Sequence, residues 1–177
     1  MVRRQYSGNV GGIVQGIGVV VMLYFVPSLD KFYLLGYRLF DPDLDGKSKI
    51  DHVVDLLDDV QSQCIAYQGV LMDSWYAVAR LFQKIRHEGK YFYCPIKTNR
   101  LVKNSTAKTY SSVGDLMWNE HQQQYGIAIK VKDLAMDVKL FKVVVSTDKT
   151  DYILTNDLRP NTVGFIAKMQ KMRWNIE

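Results

Sequence analysis

Gly69-Val70-Leu71-Met72-Asp73-Ser74-Trp75-Tyr76-Ala77 is the stretch that decides the fold. Its first four residues form an apolar run too short for a helix and ending on an acid, which reads as a short buried strand. Asp73 and Ser74 are residue types that accept the orphan backbone N–H groups of a helix start. Beyond them Trp75, Ala79, Phe82 and Ile85 form one stripe that closes at Gly89, which predicts a helix. Residues 91–96 are strand-like again. Strand, helix, strand is the unit of an α/β parallel pair. Asp73 is therefore expected at the C-terminal end of a parallel strand, the edge where open α/β sheets bind ligands. The plainer reading of Asp73 is a helix cap and nothing more.

On the N-terminal side, residues 14–26 and 32–40 are two strand-like runs separated by Pro27-Ser28-Leu29-Asp30, an antiparallel hairpin with a short loop. Residues 41–46 read as a turn. Residues 47–63 read as a helix, because Ile50, Val53, Val54, Leu57 and Val60 repeat at helical spacing. Asp51, Asp55, Asp58 and Asp59 fall on its other, solvated side. On the C-terminal side, residues 101–157 change character. Residues 125–131, 139–146 and 152–155 alternate or run apolar between turns, a β-rich insertion. Pro160-Asn161-Thr162 then opens a last helix running to Glu177, with Phe165, Met169, Met172 and Ile176 expected on one face.

Composition narrows the class. The chain has 177 residues, about one domain, and its 47% apolar content is normal for a globular core. The net charge is +5, distributed unevenly: residues 84–108 carry Lys84, Arg86, Lys90, Lys97, Arg100, Lys103 and Lys108 against Glu88 alone. A local basic stripe is the footprint of a polyanionic partner, although a lysine-rich soluble surface has the same composition. Cys64 and Cys94 make neither a disulfide framework nor a metal spacing, which fits a reducing cytoplasm. The apolar run 17–26 is far shorter than the roughly 20 residues of a membrane span. The start, Met1-Val2-Arg3-Arg4, carries no cleavage-site pattern and is not expected to be a signal peptide.

Several chemistries find no support in the pattern. His52, His87 and His121 have no ligand spacing, no glycine-rich phosphate loop is present, and no serine or cysteine has a nucleophile's surroundings. Asp41-Pro42-Asp43-Leu44-Asp45-Gly46 begins like a calcium loop, but its twelfth position is His52 rather than a bidentate glutamate, and a strand precedes it. Arg173 and Glu177 are an i, i+4 pair on the last helix, which by itself is an ordinary surface ion pair. Gln170 lies a turn earlier on the same face, with Lys171 nearby.

Taken together, the segments resemble the DDE transposases of bacterial insertion sequences, especially a group common in cyanobacteria. The resemblance rests on Arg4-Gln5-Tyr6-Ser7-Gly8, Gly16-Ile17-Gly18-Val19-Val20, the run from Tyr37-Arg38-Leu39-Phe40-Asp41 to Lys47, Val70-Leu71-Met72-Asp73-Ser74-Trp75-Tyr76-Ala77, Tyr93-Cys94-Pro95-Ile96-Lys97-Thr98-Asn99-Arg100, the run from Lys139-Leu140-Phe141 to Thr147, Thr155-Asn156-Asp157 and Arg173-Trp174-Asn175-Ile176-Glu177. They stand in the family's order along essentially the whole chain.

The resemblance implies an RNase H-like catalytic domain: an α/β mixed sheet with flanking helices and a β-rich insertion at about 101–157. It implies Asp73 as the second catalytic acid, Glu177 as the third, and Arg173 as an arginine near the transferred DNA strand. Two Mg²⁺ (or Mn²⁺) ions would sit between the carboxylates and flank the scissile phosphate. Lys97, Arg100, Lys103 and Lys171 are the expected DNA contacts. The implied partners are double-stranded DNA at insertion-sequence ends and target, a further copy of the chain or a full-length transposase, and no membrane. The implied place is the cytoplasm, in association with the nucleoid.

The sequence departs from the family pattern in two places. The tyrosine expected seven residues before the glutamate is Gln170. The first catalytic aspartate, expected on a central strand ahead of Gln5, is not in the sequence, so the expectation is a fragment lacking that strand and impaired in activity by itself. Other readings stay open: a DNA-binding or transposase-interfering module without catalysis, and a stand-alone nuclease recruiting Asp30 or Asp41.

Overall fold

The computed structural model describes residues 2–7, 10–104 and 106–174. The chain divides into two compact units, Met1–Ala66 and Tyr67–Glu177.

The first unit holds two antiparallel hairpins and a helix. Strands β1 (Arg3–Ser7) and β2 (Gly12–Gly16) pair with each other. Strands β3 (Gly18–Val26) and β4 (Lys31–Phe40) form the longer hairpin, with Val26 opposite Lys31 across the expected four-residue loop. The run 14–26 is thus not one strand. It is divided at Ile17, where β2 ends and β3 begins, because each half pairs with a different partner.

The segment 41–46, expected as a turn, forms a single helical turn, α1 (Pro42–Asp45), closed by Gly46 at φ 69°. Arg3 holds its acids: the guanidinium lies 3.1 Å from Asp41 and pairs with Asp43 as well. Helix α2 (Lys49–Ser62) starts with a reciprocal cap between Ser48 and Asp51. It buries Val53, Leu56, Leu57 and Val60 toward β3 and β4, where Gly36 admits Leu56: a Cβ there would meet the leucine at 2.9 Å. Its outer acids are engaged rather than merely solvated, Asp55 by Lys47 at 2.6 Å and Asp59 by Arg38.

The second unit is an α/β arrangement with a seven-stranded mixed sheet and flanking helices. Strands β5 (Gly69–Leu71) and β6 (Tyr91–Ile96) are parallel, joined through helix α3 (Ala79–His87). Every other pairing is antiparallel. β7 (Leu101–Asn104), β8 (Ser111–Ser112), β9 (Ile127–Val131), β10 (Val138–Ser146) and β11 (Lys149–Thr155) complete the order β5-β6-β11-β10-β9-β7-β8. The β-rich segment after residue 101 therefore continues the sheet that carries Asp73, through the β11–β6 pairing. It also contains a short helix, α4 (Glu120–Tyr125), capped by Asn119 and not expected from the sequence.

Helices cover both faces of the sheet. Phe92 stacks on Phe82 of α3 with centroids 4.2 Å apart, while its neighbour Tyr93 faces the other way, into a core with Phe141, Val143 and Ile153. Helix α5 (Val163–Trp174) closes that second face with Ile166 buried and Val163 and Ala167 packed beside it. The inward line of α5 is thus rotated in part from the expected one: Met169 packs against this core as expected. Phe165 stays 38% exposed, its ring edge-on to Tyr93, while Gln170, outside the expected apolar face, is buried. Ile176 lies outside the described residues.

The stripe after Asp73 also needs correction. Ser74–Tyr76 is a separate turn of 3-10 helix, and α3 begins only at Ala79. Trp75 accordingly leaves the stripe and is 69% exposed, whereas Phe82 and Ile85 are buried as expected.

Candidate functional site

Parallel pairing sets Leu71 beside Tyr93, and Met72 donates its N–H to the Tyr93 carbonyl at 3.2 Å. Asp73 is the next residue, at the C-terminal end of β5. One carboxylate oxygen, Oδ1, accepts the Trp75 N–H at 3.1 Å and the Ser74 hydroxyl at 3.0 Å. The capping role is therefore real. It leaves Oδ2, which lies 3.6 Å from Nη1 of Arg173 on α5. The arginine side chain is 16% exposed and the aspartate 45%, so a largely covered guanidinium sits behind an accessible carboxylate.

Cys94 lies beneath this pair on β6. It is fully buried, and its thiol donates to the Asp73 carbonyl at 3.4 Å. Burial pushes the Cys94 thiol well above its ordinary range. The charge of Asp73 adds to the rise and that of Arg173 opposes it. Cys94 is thus a neutral, packed floor to the site, a role that the sequence did not indicate.

Lys97 is exposed one residue past β6, and Arg100 closes the turn that follows, donating its N–H to the Lys97 carbonyl at 3.1 Å. This turn is tied down: Gly114 donates to the Thr98 carbonyl at 2.9 Å and Val113 to that of Arg100 at 3.0 Å. Lys97 and Arg100 follow the C-terminal end of β6, the same end of the parallel pair at which Asp73 follows β5. Lys103 instead lies along β7 with its ammonium 5.0 Å from the centre of the Tyr110 ring. Lys171 is exposed, and two residues along a helix is about 200° of rotation, so it does not share the face of Arg173.

Glu177 lies outside the described residues. Among those described, no three His, Cys, Asp or Glu side chains stand close enough together to hold a metal ion. Asp73 supplies one hard oxygen donor of the kind Mg²⁺ and Mn²⁺ take, ions that keep several waters among their ligands.

A second polar centre escaped the sequence reading. Asp157, just past β11, is fully buried and receives the Tyr93 hydroxyl, the Asn161 amide and Arg159 Nη2, each at 2.7 Å, with Arg159 Nε at 2.8 Å. Burial pushes its carboxyl upward, but the bonds from Arg159, Tyr93 and Asn161 outweigh that and hold it well below the usual carboxylate range. The Arg159 guanidinium lies 4.6 Å from the centre of the Tyr91 ring, and Asn156 bonds both the Phe92 N–H and the Lys90 carbonyl. This network ties the start of β6 to the end of β11, away from the end that carries Asp73. The polar run Thr155-Asn156-Asp157 at a strand end was its one signal in the sequence.

The sequence matches no protein-family model and no curated protein. No helix among the described residues is long and apolar enough to cross a membrane.

Proposed function

We propose that the second unit acts on DNA by phosphoryl transfer, as a transposase-type strand-cleaving and strand-joining domain of RNase H-like fold. The observation that carries this reading is the approach of Arg173 to Asp73. The resemblance gave Asp73 as a catalytic acid and Arg173, at the other end of the unit, as an arginine near the transferred DNA strand, and the two lie 3.6 Å apart at the C-terminal end of the parallel strand pair.

The chemistry of each residue suits the role. A guanidinium makes paired hydrogen bonds to phosphate oxygens, and a partly covered one does so more strongly than one in open water. Lys97 and Arg100 would contact neighbouring phosphates and set the register of the strand. Asp73 has an exposed oxygen for the reacting group, while its capped oxygen fixes the carboxylate in place. The reading implies Mg²⁺ or Mn²⁺ held by Asp73 together with Glu177.

The test is nicking of supercoiled DNA with Mg²⁺ or Mn²⁺, by the wild type and by Asp73→Asn. Asparagine is as good a cap as aspartate, so the variant keeps its turn. Metal-dependent nicking lost in Asp73→Asn supports the reading, and nicking that survives the substitution sinks it. A second reading, DNA binding without catalysis, is favoured by the lack of a cluster of three metal-ligating side chains among the described residues. It expects salt-dependent binding, unchanged in Asp73→Ala, with no nicking at all.

A further inference from the structure

Strands β3 and β4 pair only with each other, and the two faces of their ribbon are treated differently. One face lies on α2, where Val20 is 2% exposed and Gly36 admits Leu56. Residues directly opposite in an antiparallel pair share a face, and alternate residues along a strand return to it. The other face therefore carries Val19 opposite Leu39, Val21 opposite Tyr37, Leu23 opposite Leu34 and Phe25 opposite Phe32. None of these side chains is charged, and Tyr37 alone has a polar atom. Val19, Val21, Leu34, Tyr37 and Leu39 are between 42% and 60% exposed. The two phenyl rings at the loop end lie against each other, centroids 4.7 Å apart.

An antiparallel strand with one face in water alternates apolar with polar residues. Here Val19-Val20-Val21-Met22-Leu23-Tyr24-Phe25-Val26 does not alternate, and it has the composition of a strand covered on both faces. The open face amounts to on the order of 500 Å² of apolar surface, the upper end for the largest patch of a soluble monomer. We propose that this face is the contact between two copies of the chain, which stack their β3–β4 ribbons face to face. Two arguments select a second copy. A face without charge can cover an identical face and leave no ionised group buried, as the self-complementary contact of a twofold dimer requires. A polyanion or a charged peptide would instead lose hydration there and gain no partner. The area also fits: two such faces together bury on the order of 1,000 Å², the least that a specific association needs. That places the dimer among weak associations, with a micromolar rather than a nanomolar dissociation constant. A two-stranded ribbon is marginal by itself, and a second layer about 10 Å away completes its packing as a sandwich does. The contact lies wholly in the first unit and is independent of the chemistry proposed for the second.

Sedimentation equilibrium of the whole chain across the micromolar range tests this. Wild type should pass from monomer to dimer. Val21→Lys and Leu39→Lys change side chains that the monomer leaves partly in water, so the fold should be kept. Each should raise the dissociation constant by about a hundredfold, because each buries an unpaired charge on both copies. Val144→Lys, at an exposed apolar residue of the second unit, should leave the dimer unchanged. Hydroxyl-radical labelling of the wild type gives a readout that needs no variant: Leu34 and Tyr37 should lose reactivity as the dimer forms. A wild type that stays monomeric throughout overturns the proposal. So does a dimer that survives both lysine substitutions at the ribbon, a dimer lost in Val144→Lys, or labelling of Tyr37 that does not change with association.

Discussion

Arg173 Nη1 lies 3.6 Å from Asp73 Oδ2, joining the last helix of the second unit to the end of its first strand. The separation is within ion-pair range and beyond that of a hydrogen bond. With the carboxylate 45% exposed, solvent screens the attraction, and such pairs contribute about 1 kcal/mol at most. Stability is therefore a weak reason for the pair. Arg173→Gln should lower the thermal midpoint only slightly, and under the proposed function it should slow DNA cleavage by about a hundredfold, the scale of losing one charge-stabilising donor. A variant with unchanged cleavage and a large loss of stability would assign Arg173 to the fold instead.

Lys97 and Arg100 are expected to act through phosphate alone. Each substitution to alanine should reduce the slope of log affinity against log salt by about 0.9, with no change in sequence preference. An unchanged slope in the double variant would remove this edge from the DNA surface.

Asp157 is a stability centre with a definite pH signature. Its folded-state carboxyl lies below the unfolded value, so its contribution is complete above an unfolded pKa of about 3.9 and is lost as pH falls toward the folded value. Asp157→Asn should destabilise the protein at neutral pH, since it weakens the charge-assisted bonds that the buried carboxylate receives from Tyr93, Asn161 and Arg159. Urea unfolding from pH 7 to pH 3 should show that difference constant above about pH 5 and shrinking below pH 4. A difference independent of pH would mean that the charge is irrelevant.

Gly126, after α4, is a position that no other residue fits. Its φ is +74°, and a Cβ would stand 2.9 Å from the Leu140 carbonyl oxygen and from the Phe141 ring. Gly126→Ala should cost about 1–3 kcal/mol through backbone strain alone. Calorimetry showing an unshifted midpoint would refute the close approach.

The two thiols should separate cleanly. Cys64 is exposed, whereas Cys94 is buried and its thiol is held protonated. A disulfide reagent at pH 8 should label one thiol per chain promptly and the second only with unfolding. Rapid labelling of both would show that the floor beneath Asp73 opens.

Where structure depends on near neighbours, the sequence was a sufficient guide. The apolar run ending at Asp73, the strand from Tyr91 to Ile96, the hairpin loop from Pro27 to Asp30 and the helix within residues 47–63 were all legible, because strand and helix periods act over a few residues, whereas the Ser48 cap that opens the helix was not read. Asp73 was legible for the same reason, as an acid ending a strand, although the helix read directly after it begins only at Ala79. The placement of Glu177 falls outside the described residues.

What only the tertiary structure decided involves residues whose roles depend on partners far along the chain. Which side of α5 faces the sheet was set by Phe141, Val143 and Ile153 beneath it, so Ile166 and Gln170 are buried and Phe165 is not. That rotation also turns Arg173 toward Asp73 and Lys171 away. Trp75 left its expected stripe because Asp73 captured its N–H and closed a tight turn before α3 could begin. Asp157 became a buried centre because β11 lies next to β6, which brings Tyr93 within 2.7 Å of it. Local spacing names the residues able to form a helix, a strand or a cap. Packing between distant segments then selects which of their faces meet, since the burial and the buried hydrogen bonds that reward one choice exist only once the chain has closed on itself.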